Sequence, residues 1–326
     1  MQTERVDTQS DAANPLISFI IPYHNEPLAM LEACVKSVLS LSLQPNEREI
    51  IVVDDGSEIS PMACLTALDK HIICISQANA GVSVARNKGL EISRGMYVQF
   101  VDADDKLVKP QYDHCIHLIK RGKIDAVLFR FTINESQTNY TDSSIVDGIT
   151  YVERNNIRSS VWSYLFRKEC SKNLRFSQGI AYGEDEEFTP QLLLKCNSVI
   201  ETTAEAYYYR QHEASVLHQK SKERIRKRLD DNLKVILHLH RLELPNTKKR
   251  ALRRRVAQLT MDLIYNTMVL TRNYTTTTQY IEQLKEQGLF PLPQRNYTKK
   301  YSVFSRLVNH NVSRRLLFVL LKTKQG

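Results

Sequence analysis

Long apolar runs are scarce in this chain of 326 residues. None approaches the ~20 residues that a helix needs to cross a bilayer, so the sequence holds no candidate for a spanning helix. Cysteine pairs are also missing. Cys34, Cys64, Cys74, Cys115, Cys170 and Cys196 form no C-x-x-C motif, which argues against a zinc ribbon or a dithiol redox centre. Set in apolar patterns in a cytosolic protein, they read as small buried side chains. The opening stretch MQTERVDTQSDAANP lacks the basic start and apolar stretch of a signal peptide and reads as a flexible tail over residues 1–15. There is no internal repeat, and no low-complexity stretch beyond Thr275–Thr278. Acid is scarce at one end only. Residues 217–326 hold 7 Asp and Glu against 24 Lys and Arg, whereas residues 1–150 hold 20 against 13. The C-terminal part could therefore meet phosphate, anionic lipid or nucleic acid.

What the chain does have is alternation. LISFIIPY, EIIVVDDGS, HIICISQ, MYVQFVD and DAVLFRF are short apolar runs with strand lengths. Between them LAMLEACVKSVLSLSL, PMACLTALDK, AGVSVARNKGLEISRG and Pro110 to about Arg121 read as helices. Strands alternating with helices predict an α/β fold with a mostly parallel sheet flanked by helices. In such sheets ligands bind beyond the carboxyl ends of the strands. AEAYYYR reads as a further strand, and from Ser221 onward the pattern is helical and basic, which puts a boundary near 218.

The strand ends are acidic. One ends in Tyr23-His24-Asn25-Glu26, another in Asp54-Asp55-Gly56-Ser57, and YVQFVDADDK ends in Asp102-Ala103-Asp104-Asp105. Carboxylates converging on one rim repel one another, and a divalent cation removes that cost. Two carboxylates at i and i+2 on an extended segment share a side, and hard oxygen ligands with substrate phosphates are the usual way to hold Mg²⁺. Asp54-Asp55-Gly56-Ser57 also suits a plain turn. Asn79-Ala80-Gly81 precedes a helix carrying Arg86, and a helix start is a natural phosphate neighbour. Glu184 and Asp185 enter another helix, where acids suit the dipole anyway. Trp162 reads as a core residue or part of an acceptor wall. His114 and His117 lie three apart on a helix with no further metal ligand evident, and His238 and His240 point in different directions.

Together SFIIPYHNE, IIVVDDGS, QANAGVSVARNKGL, YVQFVDADD, VWSYLFRKE, YGEDEEF and YYYRQHEASVLH resemble the family 2 inverting glycosyltransferases, with the type A nucleotide-sugar-binding (GT-A) fold. The resemblance covers roughly residues 16–218. It implies a catalytic domain there, with a nucleotide-sugar half at about 16–125 and an acceptor half at about 126–218. A helical, basic region over 219–326 lies outside it. It implies that Pro22, Tyr23 and Glu26 line the nucleotide pocket, with Asp54 near the base and Asp55 beside it, and that Gly81 and Arg86 sit against the nucleotide. Asp102 and Ala103 would lie on the ribose and metal side, and Asp104, helped by Asp102, would hold Mn²⁺ or Mg²⁺. Asp185 would be the general base. Glu184, Arg210, His212, Ser215 and Trp162 would lie towards the diphosphate or acceptor. The Gln-x-x-Arg-Trp signature of processive relatives is absent, which points to addition of one sugar.

The implied activity is transfer from a nucleotide-sugar donor, a UDP-sugar first, to a glycan or lipid-linked acceptor in cell-surface polysaccharide synthesis. The expected place is the cytoplasm, with peripheral contact at the inner face of the membrane left open: SRRLLFVLLKTK, a short apolar stretch flanked by cations, can lie on anionic lipid or pack its apolar face on the catalytic domain. No nucleic-acid motif accompanies the basic runs. The alternative is an inactive nucleotide-binding scaffold that works as a membrane-surface or nucleic-acid-binding module through its basic tail.

Overall fold

The structure, a computed structural model, describes residues 14–134, 139–211 and 221–323. Eight strands form one mixed sheet in the order β3-β2-β1-β4-β7-β6-β8-β5. The first four are β1 (Ile17–Tyr23), β2 (Arg48–Asp55), β3 (Ile73–Gln77) and β4 (Tyr97–Phe100). They pair in parallel, with Tyr23 opposite Asp54 and Asp55 opposite Gln77. The connections are α1 (Leu28–Leu39), α2 (Met62–Leu68) and α3 (Val82–Ile92).

The second half of the sheet changes direction. It comprises β5 (Lys106–Leu107), β6 (Ala126–Thr132), β7 (Tyr164–Arg167) and β8 (Val199–Tyr208). β7 is antiparallel to β4 and to β6, β6 and β8 are parallel, and β5 is antiparallel to β8. Helices α4 (Lys109–Arg121), α5 (Gly148–Arg154) and α6 (Glu184–Leu193) belong to this half.

Side-chain alternation divides the interior into two cores. Phe19, Ile21, Ile50 and Val52 face one of them, and Ile20, Ile51 and Val53 face the other, as a period of two requires of a strand buried on both faces. α1 buries Leu31, Cys34, Val35 and Val38, the i, i+3, i+4, i+7 stripe of an amphipathic helix.

The C-terminal region is all helix: α7 (Lys222–Arg241), α8 (Asn246–Thr271), α9 (Tyr274–Glu286), α10 (Lys299–Val308) and α11 (Asn311–Thr323). Ser221 caps α7 by accepting from the Arg224 amide at 3.2 Å, and Asn273 and Thr298 cap α9 and α10 in the same way. Leu229, Val235 and Ile236 of α7 and Leu252, Leu263 and Ile264 of α8 continue the core that holds Phe188 and Leu192 of α6. Cys34, Cys115, Cys170 and Cys196 are buried and every cysteine is a free thiol, as the apolar patterns implied. No described helix is long and apolar enough to cross a membrane.

The periodic elements fall where alternation placed them. β5, β7, α5 and α10 are additions that sequence periodicity did not show. One local expectation is corrected. Asp102 to Asp105 is a turn rather than an extended segment: β4 ends at Phe100, and the Asp105 amide donates to the Asp102 carbonyl at 3.0 Å. The boundary near 218, His212 and Ser215 all lie outside the described residues.

Candidate active site

The rim at the carboxyl ends of β1, β2 and β4 is organised by turns. At the end of β2, Asp54 Oδ1 accepts from the Ser57 amide at 2.9 Å and Oδ2 from Ser76 Oγ at 3.1 Å. Asp55 reaches forward instead. Its Oδ1 accepts from Gln77 Nε2 at 2.7 Å and from the Ala80 amide at 2.8 Å, and its Oδ2 from the Gly81 amide at 2.8 Å. Both side chains are buried. Asp55 thus fixes the loop that opens α3, while Gly56 (φ +74°) makes room for it: a Cβ there would lie 2.6 Å from the Asn79 amide nitrogen.

Around the end of β1, Tyr23 is buried and donates to the Glu26 carbonyl at 2.8 Å, and Glu26 accepts from the His24 amide at 2.6 Å. Asn25, in the left-handed region at φ 63°, accepts from the Glu58 amide and donates its own amide to Ser57 Oγ. Asn79 Nδ2 lies 3.0 Å from the His24 ring. The ends of β1 and β2 and the loop before α3 therefore form one hydrogen-bonded wall. His24, Asn25 and Asn79 stood in the sequence as polar residues at a strand end and a helix start, without a role of their own. Their cue was polar residues directly after strand ends.

The acidic turn after β4 faces this wall. Asp102 is partly exposed, Ala103 is buried, Asp104 is half-buried and Asp105 is buried. Burial raises the Asp102 carboxyl, opposed by Arg86, and raises Glu26, with Asp104 and Asp102 adding to the effect. Burial, followed by the Asp102 charge, pushes Asp105 up to about 8, although the Arg210 amide donates to its Oδ1 at 2.8 Å. Asp105 therefore ties the turn to the end of β8 through Arg210. From below, the Asp102 amide donates to Tyr207 Oη at 3.1 Å, and Tyr207 stacks on Trp162 with ring centroids 4.2 Å apart. Trp162 is buried and belongs to the core that supports the turn.

Asp185 joins the rim from the other half of the sheet. Gly183 (φ +91°) starts α6, whose first turn is Glu184-Asp185-Glu186-Glu187, acids placed at the positive end of the dipole. The Asp185 carboxylate accepts from Arg86 Nη1 at 2.7 Å and from the Val161 amide at 2.9 Å. The same Nη1 lies 3.1 Å from Glu184, and Nη2 lies 3.2 Å from Asp102. Arg86 is only 4% exposed and its guanidinium lies over the Phe176 ring at 5.5 Å. Burial pushes Asp185 up to about 7 even with Arg86 pulling the other way. Three carboxylates surround one cation, so the rim keeps an excess of negative charge.

Beyond Asp185 a cavity of about 340 Å³ runs between α6 and the C-terminal helices. It is lined by Ser159, Tyr182, Glu186, Arg228, Asn232 and Asp262 among others. None of the α7 and α8 residues was foreseen, since nothing local in their sequence marks them.

Asp102 and Asp104 offer hard oxygen donors, which suits Mg²⁺ or Mn²⁺. Among the described residues no group of three or more His, Cys, Asp or Glu gathers to hold a metal ion. The turn fits a divalent cation only as two carboxylates completed by substrate phosphate oxygens or water. His114 pairs with Asp142 at 2.9 Å and His117 lies beside Arg121.

Comparison with known proteins gives this arrangement a lineage. The chain is 29% identical over 222 residues to "Uncharacterized glycosyltransferase EpsJ" of Bacillus subtilis, covering 62% of this chain and 63% of that one. It is 30% identical over 220 residues to "Glycosyltransferase GlyA" of Streptococcus pneumoniae, covering 61% and 31%. The match thus spans less than two thirds of either relative. Among solved structures, S. aureus TarS (residues 1–349) in complex with UDP-GlcNAc superposes with a TM-score of 0.66 at 17% identity, over 92% of this chain and 91% of that one. The mannosyltransferase PcManGT from Pyrobaculum calidifontis, in complex with GDP-Man and Mn²⁺, gives 0.56 at 13%, over 96% and 87%. The shared architecture is the GT-A fold. The family model for glycosyl transferase family 2 matches residues 18–184, which takes in the wall, the acidic turn and the start of α6; the chain belongs to that family.

Proposed function

We propose that the protein moves one sugar from a nucleotide-sugar, a UDP-sugar first, to an acceptor hydroxyl with inversion at the anomeric carbon, in the synthesis of a cell-surface polysaccharide or lipid-linked glycan. The observation that carries this reading is the placement of the Asp102–Asp105 turn and Asp185 on either side of Arg86, at one rim of a family 2 fold. Pro22, Tyr23, Glu26, Asp54, Asp55 and Gly81 form the nucleotide side. Asp104, with Asp102, would hold a divalent cation, which when bound would neutralise charge on the departing diphosphate.

The chain's own residues supply the rest. Sugar transfer passes through an oxocarbenium-like state, as glycoside chemistry does. Asp185, pushed up to about 7, suits a general base near neutral pH. Each carboxylate oxygen has a second lone pair, so Asp185 can accept an acceptor hydroxyl proton while it keeps Arg86 and the Val161 amide. Arg86 orients Asp185 and Glu184 and links them to Asp102. The cavity beside Asp185 receives the acceptor, and Arg210 lies on the diphosphate or acceptor side.

We further place the protein in the cytoplasm at an anionic membrane surface. Val312 (74% exposed), Leu316 and Leu320 form an outward apolar stripe on α11 at i, i+4, i+8 spacing, beside Arg315 and Lys322. The division near 218 is one of role: residues 16–218 carry the chemistry and residues 219–326 serve acceptor and membrane.

The test is release of nucleoside diphosphate from a panel of UDP-, GDP- and dTDP-sugars with Mn²⁺, for wild type and Asp185→Asn. Release by wild type alone supports the reading. Equal rates place the base elsewhere, and release from no donor favours the inactive scaffold.

A further inference from the structure

α8, the end of α7 and the segment 288–297 enclose a second and larger cavity, of about 720 Å³, lined by none of the rim residues. Its floor is apolar: Leu239, Leu252, Val256 and Leu289 are all buried. Its walls carry His240, Lys249, Arg250, Arg253, Arg254 and Arg295 against a single carboxylate, Glu153. That carboxylate already pairs with Arg250 at 3.1 Å. Arg254 is structural: it donates to the Arg154 carbonyl at 2.7 Å and to Asn156 Oδ1 at 3.0 Å, and lies over the Tyr297 ring. Lys249, Arg253 and Arg295 are exposed at the mouth. Burial lowers the His240 pKa first, and the Lys249 and Arg241 charges lower it further. The cavity therefore has a cationic field that its own carboxylate does not balance.

Such a site matches a multivalent oxyanion, which accepts several charge-assisted hydrogen bonds at once. The apolar floor adds a preference for a ligand with an apolar portion. The wall continues under the last two helices. The Leu292 amide donates to Asn309 Oδ1 at 2.9 Å, Tyr301 Oη to the Pro293 carbonyl at 3.1 Å, and Arg314 lies over the Phe290 ring. Those helices expose Val303, Leu307, Val312 and Leu316. Cationic cavity and apolar surface thus share one structural wall.

We propose that this cavity is a phosphate-binding site, separate from the rim, for a phosphate or diphosphate group, either free or carried as a lipid headgroup. The site recognises the charged group through Lys249, Arg253 and Arg295, and its apolar floor receives an acyl portion where the group is a lipid headgroup. It uses no rim residue, so it stands whether or not the transferase reading does.

The test compares wild type with the triple variant Lys249→Gln/Arg253→Gln/Arg295→Gln. A control triple, Lys172→Gln/Lys234→Gln/Lys285→Gln, removes the same charge from exposed sites outside the cavity. Inorganic diphosphate is titrated calorimetrically in one arm. In the other, phosphatidylcholine vesicles with and without phosphatidic acid are pelleted with the protein. Matching thermal unfolding of the three proteins establishes that each is folded. The expected result is a loss of about tenfold or more in affinity for the cavity triple alone, in at least one arm. Loss confined to vesicles assigns a lipid source, and loss confined to diphosphate a free anion. Equal binding by all three proteins, equal loss in the control, or no binding in either arm overturns the proposal.

Discussion

The guanidinium of Arg86 and the carboxylate of Asp185, 99 residues apart in sequence, meet at 2.7 Å. Arg86 lies on α3, among the parallel strands, and Asp185 on α6, in the half of the sheet that changes direction. Through Asp102 on one nitrogen and Asp185 and Glu184 on the other, one buried cation ties the two halves of the sheet together.

Arg86→Met should therefore destabilise the protein far more than a surface change. Removing one partner of a buried ion pair costs about 3–5 kcal/mol, here with three carboxylates left uncompensated. Chemical denaturation measures it. Arg86→Lys should recover only part of the loss, because a single ammonium lacks the two-sided geometry of the guanidinium. A Met variant as stable as wild type would remove Arg86 from this role.

Asp185→Asn should lower turnover by roughly 10²–10⁴-fold with nucleotide affinity unchanged. The pH profile carries an independent signature. The base acts as the carboxylate, so the rate should fall about tenfold per unit below the carboxyl's value and level off above it. With Asp185 pushed up to about 7, the bend is expected near neutrality rather than in the ordinary carboxylate range. A rate flat from acid to neutral pH contradicts the assignment.

At the end of β2 the prediction is structural. Asp55→Ala removes the buried acceptor that holds Gln77 and the Ala80 and Gly81 amides, and each such hydrogen bond contributes about 0.5–1.5 kcal/mol net. Gly56→Ala meets both the positive φ and the Asn79 backbone. Both variants should unfold at lower denaturant and bind nucleotide more weakly, because the loop they hold opens α3. Unchanged affinity in stable variants would separate this loop from the site.

Alternation made β1 to β4 and α1 to α4 legible, because strands buried on both faces read as unbroken apolar runs. β5 was not legible: two residues pair with β8 through contacts made in space. The acidic strand ends were visible as a pattern, but their division of labour was not. Asp54 and Asp55 are adjacent, yet one closes its own turn and the other anchors a loop 25 residues on. Arg86 stood in the sequence as a helical cation, and only folding surrounds it with three carboxylates. The cavities along α7 and α8 were equally hidden, since their lining residues share no local signature.

The most direct test of the central claim is calorimetric titration of UDP into wild type and Asp104→Asn, each with and without Mn²⁺; the acidic turn supplies only part of a coordination shell. Binding to wild type that strengthens with Mn²⁺, and an Asp104→Asn variant whose remaining binding ignores Mn²⁺, is the predicted result. Metal dependence that survives in Asp104→Asn, or its absence from wild type, would contradict the claim that this rim holds a nucleotide through a cation on Asp104.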